Sequence, residues 1–175
     1  MSNPVVLVPH DPAWKHLASE EAARISALLA GQLIAIHHVG STAIPGIKAK
    51  PILDFLGVVH SLEAFDEHPG LLEKIGYQAR GEMGIPGRRY FKKPAQGMDT
   101  HHVHIFQAGD ANIDRHLLFR DYLQTHPKVA RDYEHLKEEL AVKFANDSPS
   151  YADAKTEFIR DIERRAALWR GSAST

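Results

Sequence analysis

The chain contains no cysteine. Disulfides, thiolate zinc sites and thiol nucleophiles are therefore excluded together, and the absence fits a reducing compartment. Long apolar runs are missing too: none approaches the roughly 18 residues of a membrane-crossing helix. The opening segment, MSNPVVLVPHDPAW, lacks the basic start and apolar stretch of a signal peptide. The expectation is a cytoplasmic protein with no membrane contact. Charge of either sign is not in excess. The 21 Lys and Arg against 22 Asp and Glu leave a formal net charge of −1. That disfavours nucleic acid as a partner, because non-specific binders work by neutralising phosphates.

What is present is an ordinary globular composition, 43% hydrophobic and 25% charged, in 175 residues. This is the size of one domain, expected over residues 1–170, and folding should bury roughly 70% of the unfolded surface without a staple. Histidine is the unusual component, at 12 residues, so solubility and ligand binding are expected to depend on pH near 6.

Hydrophobic spacing divides the chain. A short strand is expected over residues 5–8, then a helix capped by Asp11 with Pro12 at its first position and stopped by Gly31. Strands follow over 33–39 and 51–59, with a helix from Ser61 to residue 74 that is irregular near Pro69 and Gly70 and stopped by Gly76. Three further strands (77–82, 89–93, 101–107) are joined by GIPG and PAQGMD, which carry tight-turn residues. From Ile113 the pattern turns helical, with breaks at 126–127 and 146–149 and a disordered tail at 171–175. The fold class is α+β: one mixed β-sheet with flanking helices (about 1–108) and a C-terminal helical cap (about 112–170).

The chemistry concentrates in HHVGSTAIPGIKAKPILDF, residues 37–55. A strand delivers Gly40 and Ser41 into a turn, and a second strand presents Asp54. Glycine admits close approach of a phosphate, Ser41 and Thr42 can donate to its oxygens, and a carboxylate beside them can hold a divalent ion. If Lys50 lies on the Asp54 strand, residues 50, 52 and 54 share a face. His102 and His104 alternate on a later strand; with Asp54 they form a poor Mg²⁺ pair site and a better set for one Zn²⁺, Mn²⁺ or Fe²⁺. Of the adjacent arginines 88 and 89, Arg89 is expected to face the cleft and contact phosphate. Glu82 and His38 are weaker candidates. The pairs Tyr133/Lys137 and Tyr151/Lys155 read first as tyrosines packed under lysine stems, and secondly as a nucleotide-stacking surface. Arg120 and Asp121 read as a structural ion pair.

The order strand, Gly-Ser, short helix, strand with Asp is similar to the signature of the polymerase-β-like nucleotidyltransferases. More narrowly, HHVGSTAIPGIKAKPILDFLGVV, with DPAW, GIPGRRYF, THHVHIF, HLLFRDYL and YADAKTEFI, resembles the GrpB family, a set of small bacterial proteins also found fused to dephospho-CoA kinase. The resemblance runs from residue 5 to residue 164. It implies the nucleotidyltransferase fold, a nucleotide or phosphorylated small molecule as ligand, and a divalent cation (Mg²⁺ or Mn²⁺, with Zn²⁺ as the alternative). In a transfer reaction it would give Gly40, Ser41, Thr42 and Arg89 to phosphate, Asp54, His102 and His104 to metal, and Asp54, His104 and Lys50 to catalysis. Active nucleotidyltransferases carry a second acid two residues after the first; here that position is Leu56. A non-catalytic binding or partner protein, linked to coenzyme A biosynthesis through the fused relatives, is thus the alternative, and a mononuclear metal-dependent hydrolase is the third.

Overall fold

The structure, a computed structural model, describes residues 4–173. Helix α1 (Ala13–Leu28) follows a turn in which the Asp11 carboxylate accepts from the Ala13 amide at 2.9 Å. Strand β1 (Leu33–Val39) runs antiparallel to β2 (Leu53–Val59), and between them lie the one-turn 3-10 helix Ser41–Ala43 and an extended loop. Helix α2 (Leu62–Asp66) is capped by Ser61, whose hydroxyl accepts from the Ala64 amide at 3.2 Å. After a second 3-10 turn come β3 (Gln78–Ala79), β4 (Arg89–Ala95) and β5 (Met98–Gln107). Four helices finish the described chain: α3 (Ala111–Thr125), α4 (Pro127–Lys143), α5 (Ser148–Ala154) and α6 (Thr156–Ala173).

The five strands form one open mixed sheet in the order β1-β2-β5-β4-β3. Among the described strands only β2 and β5 run parallel, with Asp54 opposite His102 and Leu56 opposite His104. Side chains alternate across such a sheet, so each face has its own chemistry. Leu53, Phe55, Val59, Val103, Ile105 and Phe91 pack beneath α1 and α2 around Trp14, Ile25 and Phe65. The opposite face carries Asp54, Leu56, His102 and His104. There Leu56 joins Val39 and Phe106 under Ile113 and Leu117 of α3.

The loop after the 3-10 turn belongs to the cap's packing. Ile44 and Ile47 are buried among Tyr122, Leu123, Tyr133 and Ile162. Polar contacts tie the same loop to the cap: Gln124 donates to the Ala43 carbonyl at 2.7 Å, Glu134 accepts from the Lys48 amide at 2.6 Å, and Lys137 donates to the Lys48 carbonyl.

Several sequence expectations are corrected. Residues 5–8 form no strand; Val8 makes only an isolated bridge to Ala49, because Pro4 and Pro9 flank too short a segment. The helix from Ser61 stops at Asp66, where Pro69 and Gly70 break it before the 3-10 turn closed by Gly76 at φ 93°. The strand expected over 77–82 shrinks to two residues, while β4 and β5 extend to meet at Gln96–Gly97, both with positive φ as a tight hairpin requires. The cap has four helices, since Lys155 separates α5 from α6. Of the tail expected at 171–175, residues 171–173 continue α6, and the last two lie outside the described residues.

Candidate functional site

A cleft of about 410 Å³ opens between the polar face of the sheet and the cap. Its floor is Gly40, Ser41, Thr42, Asp54, His102 and His104. Lys137, Tyr133, Tyr151, Lys155, Phe119 and Ile159 form the facing wall.

Gly40 turns the chain out of β1 at φ 74°, ψ −172°, a conformation L side chains rarely adopt. It also lies against the acid: a Cβ placed on Gly40 would sit 2.8 Å from Asp54 Oδ2. Thr42 is buried and its hydroxyl is already used, donating to the Ile52 carbonyl at 3.3 Å and accepting from His38 Nε2 at 2.8 Å. His38 is thereby a support for the turn. Ser41 lines the cleft together with Tyr133 of the cap.

A chain of charges crosses three strands. Lys92 donates to Asp99 Oδ2 at 2.9 Å, and the same oxygen lies 3.3 Å from His102 Nε2. His102 Nδ1 is 3.2 Å from Asp54 Oδ1, which also meets His104 Nε2 at 3.5 Å. His104 Nδ1 in turn lies 3.3 Å from the Arg88 guanidinium. Tyr90 lies beside both imidazoles, with ring centroids 5.5 and 5.0 Å away, and Arg88 stands 4.6 Å from the Tyr90 centroid. Burial alone would raise the Asp54 carboxyl; the hydrogen bonds from His102 and His104 outweigh it and hold the group well below the ordinary carboxylate range. Burial, reinforced by Arg88 against the pull of Asp54, lowers His104.

The proton positions follow from Arg88. Guanidinium only donates, so His104 Nδ1 must accept and carries no hydrogen. The hydrogen then sits on Nε2 and points at Asp54. Asp54 Oδ1 is saturated by two imidazoles, leaving Oδ2 toward Gly40. The Asp54 side chain remains 26% exposed, open to the cleft.

The cap wall is basic. Lys50 and Lys155 lie 5.3 and 4.3 Å from the centroid of the Tyr151 ring, and Lys137 lies 4.7 Å from that of Tyr133. Lys137 is only 2% exposed. Burial and then the neighbouring Lys155 pull its ammonium down to about 7. Burial and then Lys50 bring Lys155 to about 8, while Lys50 is lowered by burial against the opposing pull of Asp54. At the rim, Arg115 and Glu163 pair at 3.3 Å.

Asp54, His102, His104, Lys50, Gly40, Ser41 and Thr42 thus all line one cleft. Three placements need correction. Lys50 is not on β2, which begins at Leu53; it reaches the cleft from the preceding loop. Arg89 lies on the other face, donating to Asp66 at 2.8 and 2.6 Å, because alternation along β4 puts Arg88 and Tyr90 on the cleft side. Glu82 caps its own turn by accepting from the Gly87 amide at 2.8 Å. As placed, Asp54, His102 and His104 do not fit a cation: among the described residues no group of three or more His, Asp or Glu is arranged to hold one. Consistently, the hydrogen that Arg88 forces onto His104 Nε2 is directed at Asp54, so that nitrogen offers no lone pair to the cleft.

Sequence reasoning chose Arg89 over Arg88, did not single out Asp99 or His116, which lines the cleft from α3, and ranked Lys137 and Lys155 as core cover. The i, i+4 spacing after each tyrosine was the available signal, and it is the cap's docking over the 41–50 loop that turns both pairs toward the cleft.

The arrangement defines a class: an α+β protein with a five-stranded open mixed sheet, whose single parallel strand pair presents a histidine-clamped aspartate to a lysine-lined cap. Comparison with known proteins resolves the class further. The family profile described as "GrpB protein" matches residues 4–165, and the chain belongs to the GrpB family. It is 41% identical over 166 residues to the UPF0157 protein YqkA of Bacillus subtilis, covering 95% of this chain and 48% of that protein. It is 36% identical to the glutamate-rich protein GrpB of Alkalihalophilus pseudofirmus, covering 90% of this chain and 93% of that one. The dephospho-CoA kinase of Mycobacterium leprae is 30% identical over 97% of this chain but only 48% of its own length. The chain therefore spans about half of the Bacillus subtilis and mycobacterial relatives. Among solved structures, the conserved protein GrpB from Enterococcus faecalis superposes with a TM-score of 0.87 at 38% identity, over 94% of this chain and 99% of that one. Among the described residues no helix is long and apolar enough to cross a membrane.

Proposed function

We propose that this protein binds a nucleotide or another phosphorylated small molecule in the cleft between sheet and cap. The observation that carries the proposal is the set of three lysines, 50, 137 and 155, turned into one cavity whose floor is the Gly40–Ser41 turn. Removing ammonium groups from water is costly unless an anion meets them. The volume of about 410 Å³ falls within the range of small-molecule sites. Phe119, Tyr133 and Ile159 offer apolar surface for the uncharged part of such a ligand.

A second reading is nucleotidyl transfer on a nucleotidyltransferase-like fold, favoured by Asp54 on the strand that follows the Gly-Ser turn. It is weakened by Leu56, which is fully buried under α3 and leaves Asp54 without a second carboxylate on its strand. Binding is therefore the primary function we assign, with transfer as an added capacity. Two mycobacterial relatives bear the name dephospho-CoA kinase, so coenzyme A precursors join the ligands to be tried.

The test is a thermal-shift panel of ATP, GTP, CTP, UTP and coenzyme A precursors. A ligand at 100 times its dissociation constant stabilises by roughly 2.7 kcal/mol. A shift from one of them that is lost in Lys155→Met supports the cleft. Absence of a shift from every phosphorylated ligand would sink the proposal.

A further inference from the structure

We infer that this cleft neutralises its anionic ligand with its own lysines and needs no divalent cation to do so. The inference rests on the phospho-ligand reading, and two independent features of the cleft carry it.

The first is on the cap side. Among the described residues, the Lys50 and Lys155 ammoniums make neither a salt bridge nor a hydrogen bond to a protein acceptor; each packs on the face of Tyr151. Lys137 is buried, donates one hydrogen to the Lys48 carbonyl and keeps the others. An ammonium has three donors and no acceptor capacity. The three side chains thus hold unspent donors around one space, the arrangement a di- or triphosphate would satisfy. They supply at short range the positive charge that a bridging metal ion otherwise gives to phosphate oxygens.

The second is on the sheet side. A metal-ligating imidazole offers a bare nitrogen to the ion and its N–H to an outer acceptor. His104 has the reverse arrangement. Its outer neighbour at Nδ1 is Arg88, 3.3 Å away and 7% exposed, itself fixed by donating to the Glu82 carbonyl at 3.0 Å and the Met83 carbonyl at 2.6 Å. Turning His104 into a ligand through Nε2 would place its hydrogen on Nδ1, facing a second donor. With His104 excluded, Asp54 and His102 are two protein donors, fewer than the three or four that a resident Zn²⁺ site uses. The negative charge of Asp54 is already balanced by the network it shares with His102, His104 and Arg88, so it does not call for a metal.

Inorganic pyrophosphate is the probe, titrated calorimetrically into the full chain in EDTA and then in MgCl₂ or MnCl₂. Binding in EDTA is expected, changing by less than about threefold when the cation is supplied. Lys155→Met and Lys50→Met should each weaken it by about tenfold or more, as loss of a charge-assisted contact implies, with Lys155→Arg retaining most of the affinity. Binding that appears only with a divalent cation overturns this inference and leaves the phospho-ligand reading intact. No binding under either condition overturns both. A separate readout needs no ligand: long-range ¹H–¹⁵N spectra should show His104 as the Nε2–H tautomer with a bare Nδ1. A hydrogen found on Nδ1 would remove the sheet-side half of the reasoning.

Discussion

Gly40→Ala probes the contact between the turn and the acid. At φ 74° and ψ −172° the backbone occupies a region natural almost only to glycine, so an added Cβ costs about 1–3 kcal/mol in strain. That Cβ would also stand 2.8 Å from Asp54 Oδ2 and 3.1 Å from the Asp54 Cβ. The carboxylate cannot swing away freely, because Oδ1 is held by His102 and His104. Driving a side chain some 30° off its rotamer adds about 1 kcal/mol. The whole is about 3 kcal/mol, which in a chain of this length lowers the melting temperature by about 6–12 °C.

Gly46→Ala is the matched control. Gly46 also has positive φ, 81°, yet nothing lies within 4 Å of where its Cβ would be. The left-handed conformation alone costs about 1–2 kcal/mol. Calorimetric melting and pyrophosphate titration of both variants separate strain from collision. Gly40→Ala should melt lower than Gly46→Ala, and it alone should lose binding. Equal melting temperatures, or undiminished binding in Gly40→Ala, would refute the idea that the turn and Asp54 are one pressed unit.

Other outcomes follow from the same geometry. Lys137 and Lys155 are depressed to about 7 and about 8, so from pH 7 upward the unfolded chain binds more protons than the folded one; these two groups therefore make the free protein more stable as pH rises toward 10, visible in melts across that range. Pyrophosphate affinity should move the opposite way, falling above pH 8 as the ammoniums discharge, with proton uptake on binding detected by titration in buffers of different ionisation enthalpy; a flat pH profile would count against lysine neutralisation. Lys155→Met should melt no lower than the parent without ligand, since it removes a half-buried ammonium with no salt bridge, and a large drop would mark Lys155 as structural. On the other face, buried Glu21 accepts from Tyr77 at 2.9 Å and Lys93 at 2.8 Å, contacts that outweigh burial and lower its carboxyl. Glu21→Ala should cost about 3 kcal/mol by stranding Lys93, and the contribution of Glu21 is present above its unfolded value near pH 4.5 and lost as pH falls through the folded one.

The readable parts of the sequence were those governed by local rules. Short apolar runs placed β1 and β2, turn residues bounded β5, and Ser61 and Gly76 marked real chain events because capping and positive φ act within a few residues. Gly40, Ser41, Asp54, His102 and His104 converged because strand alternation put them on one face. What was not legible depended on tertiary choices. Arg88 and Arg89 are adjacent, so one residue of register decides which enters the cleft, and the pairing of Arg89 with Ile105 and of Tyr90 with His104 set it. Tyr133/Lys137 and Tyr151/Lys155 carry the same local pattern whether they seal a core or line a cavity. Docking of Ile44 and Ile47 into the helices decided that, and no short-range signal announces it.

That docking also explains why the site is assembled from both ends of the chain. The turn presenting Gly40 and Ser41 is followed directly by the loop whose isoleucines fill the cap and whose Lys48 backbone binds Glu134 and Lys137. The cap cannot lift from the sheet without exposing those isoleucines and breaking those hydrogen bonds. Ser41 and Tyr133 line the cleft from its two sides, so a phosphate seated between the turn and the lysines would add contacts to both sides of an existing joint. Ligand binding should therefore tighten the cap on the turn more than it reshapes the cleft. Amide exchange in α4 and in residues 41–50 ought to slow together on addition of pyrophosphate, while exchange in β3 and α2, remote from the joint, stays unchanged. Protection confined to the turn alone would mean that the lysine wall takes no part in holding the anion.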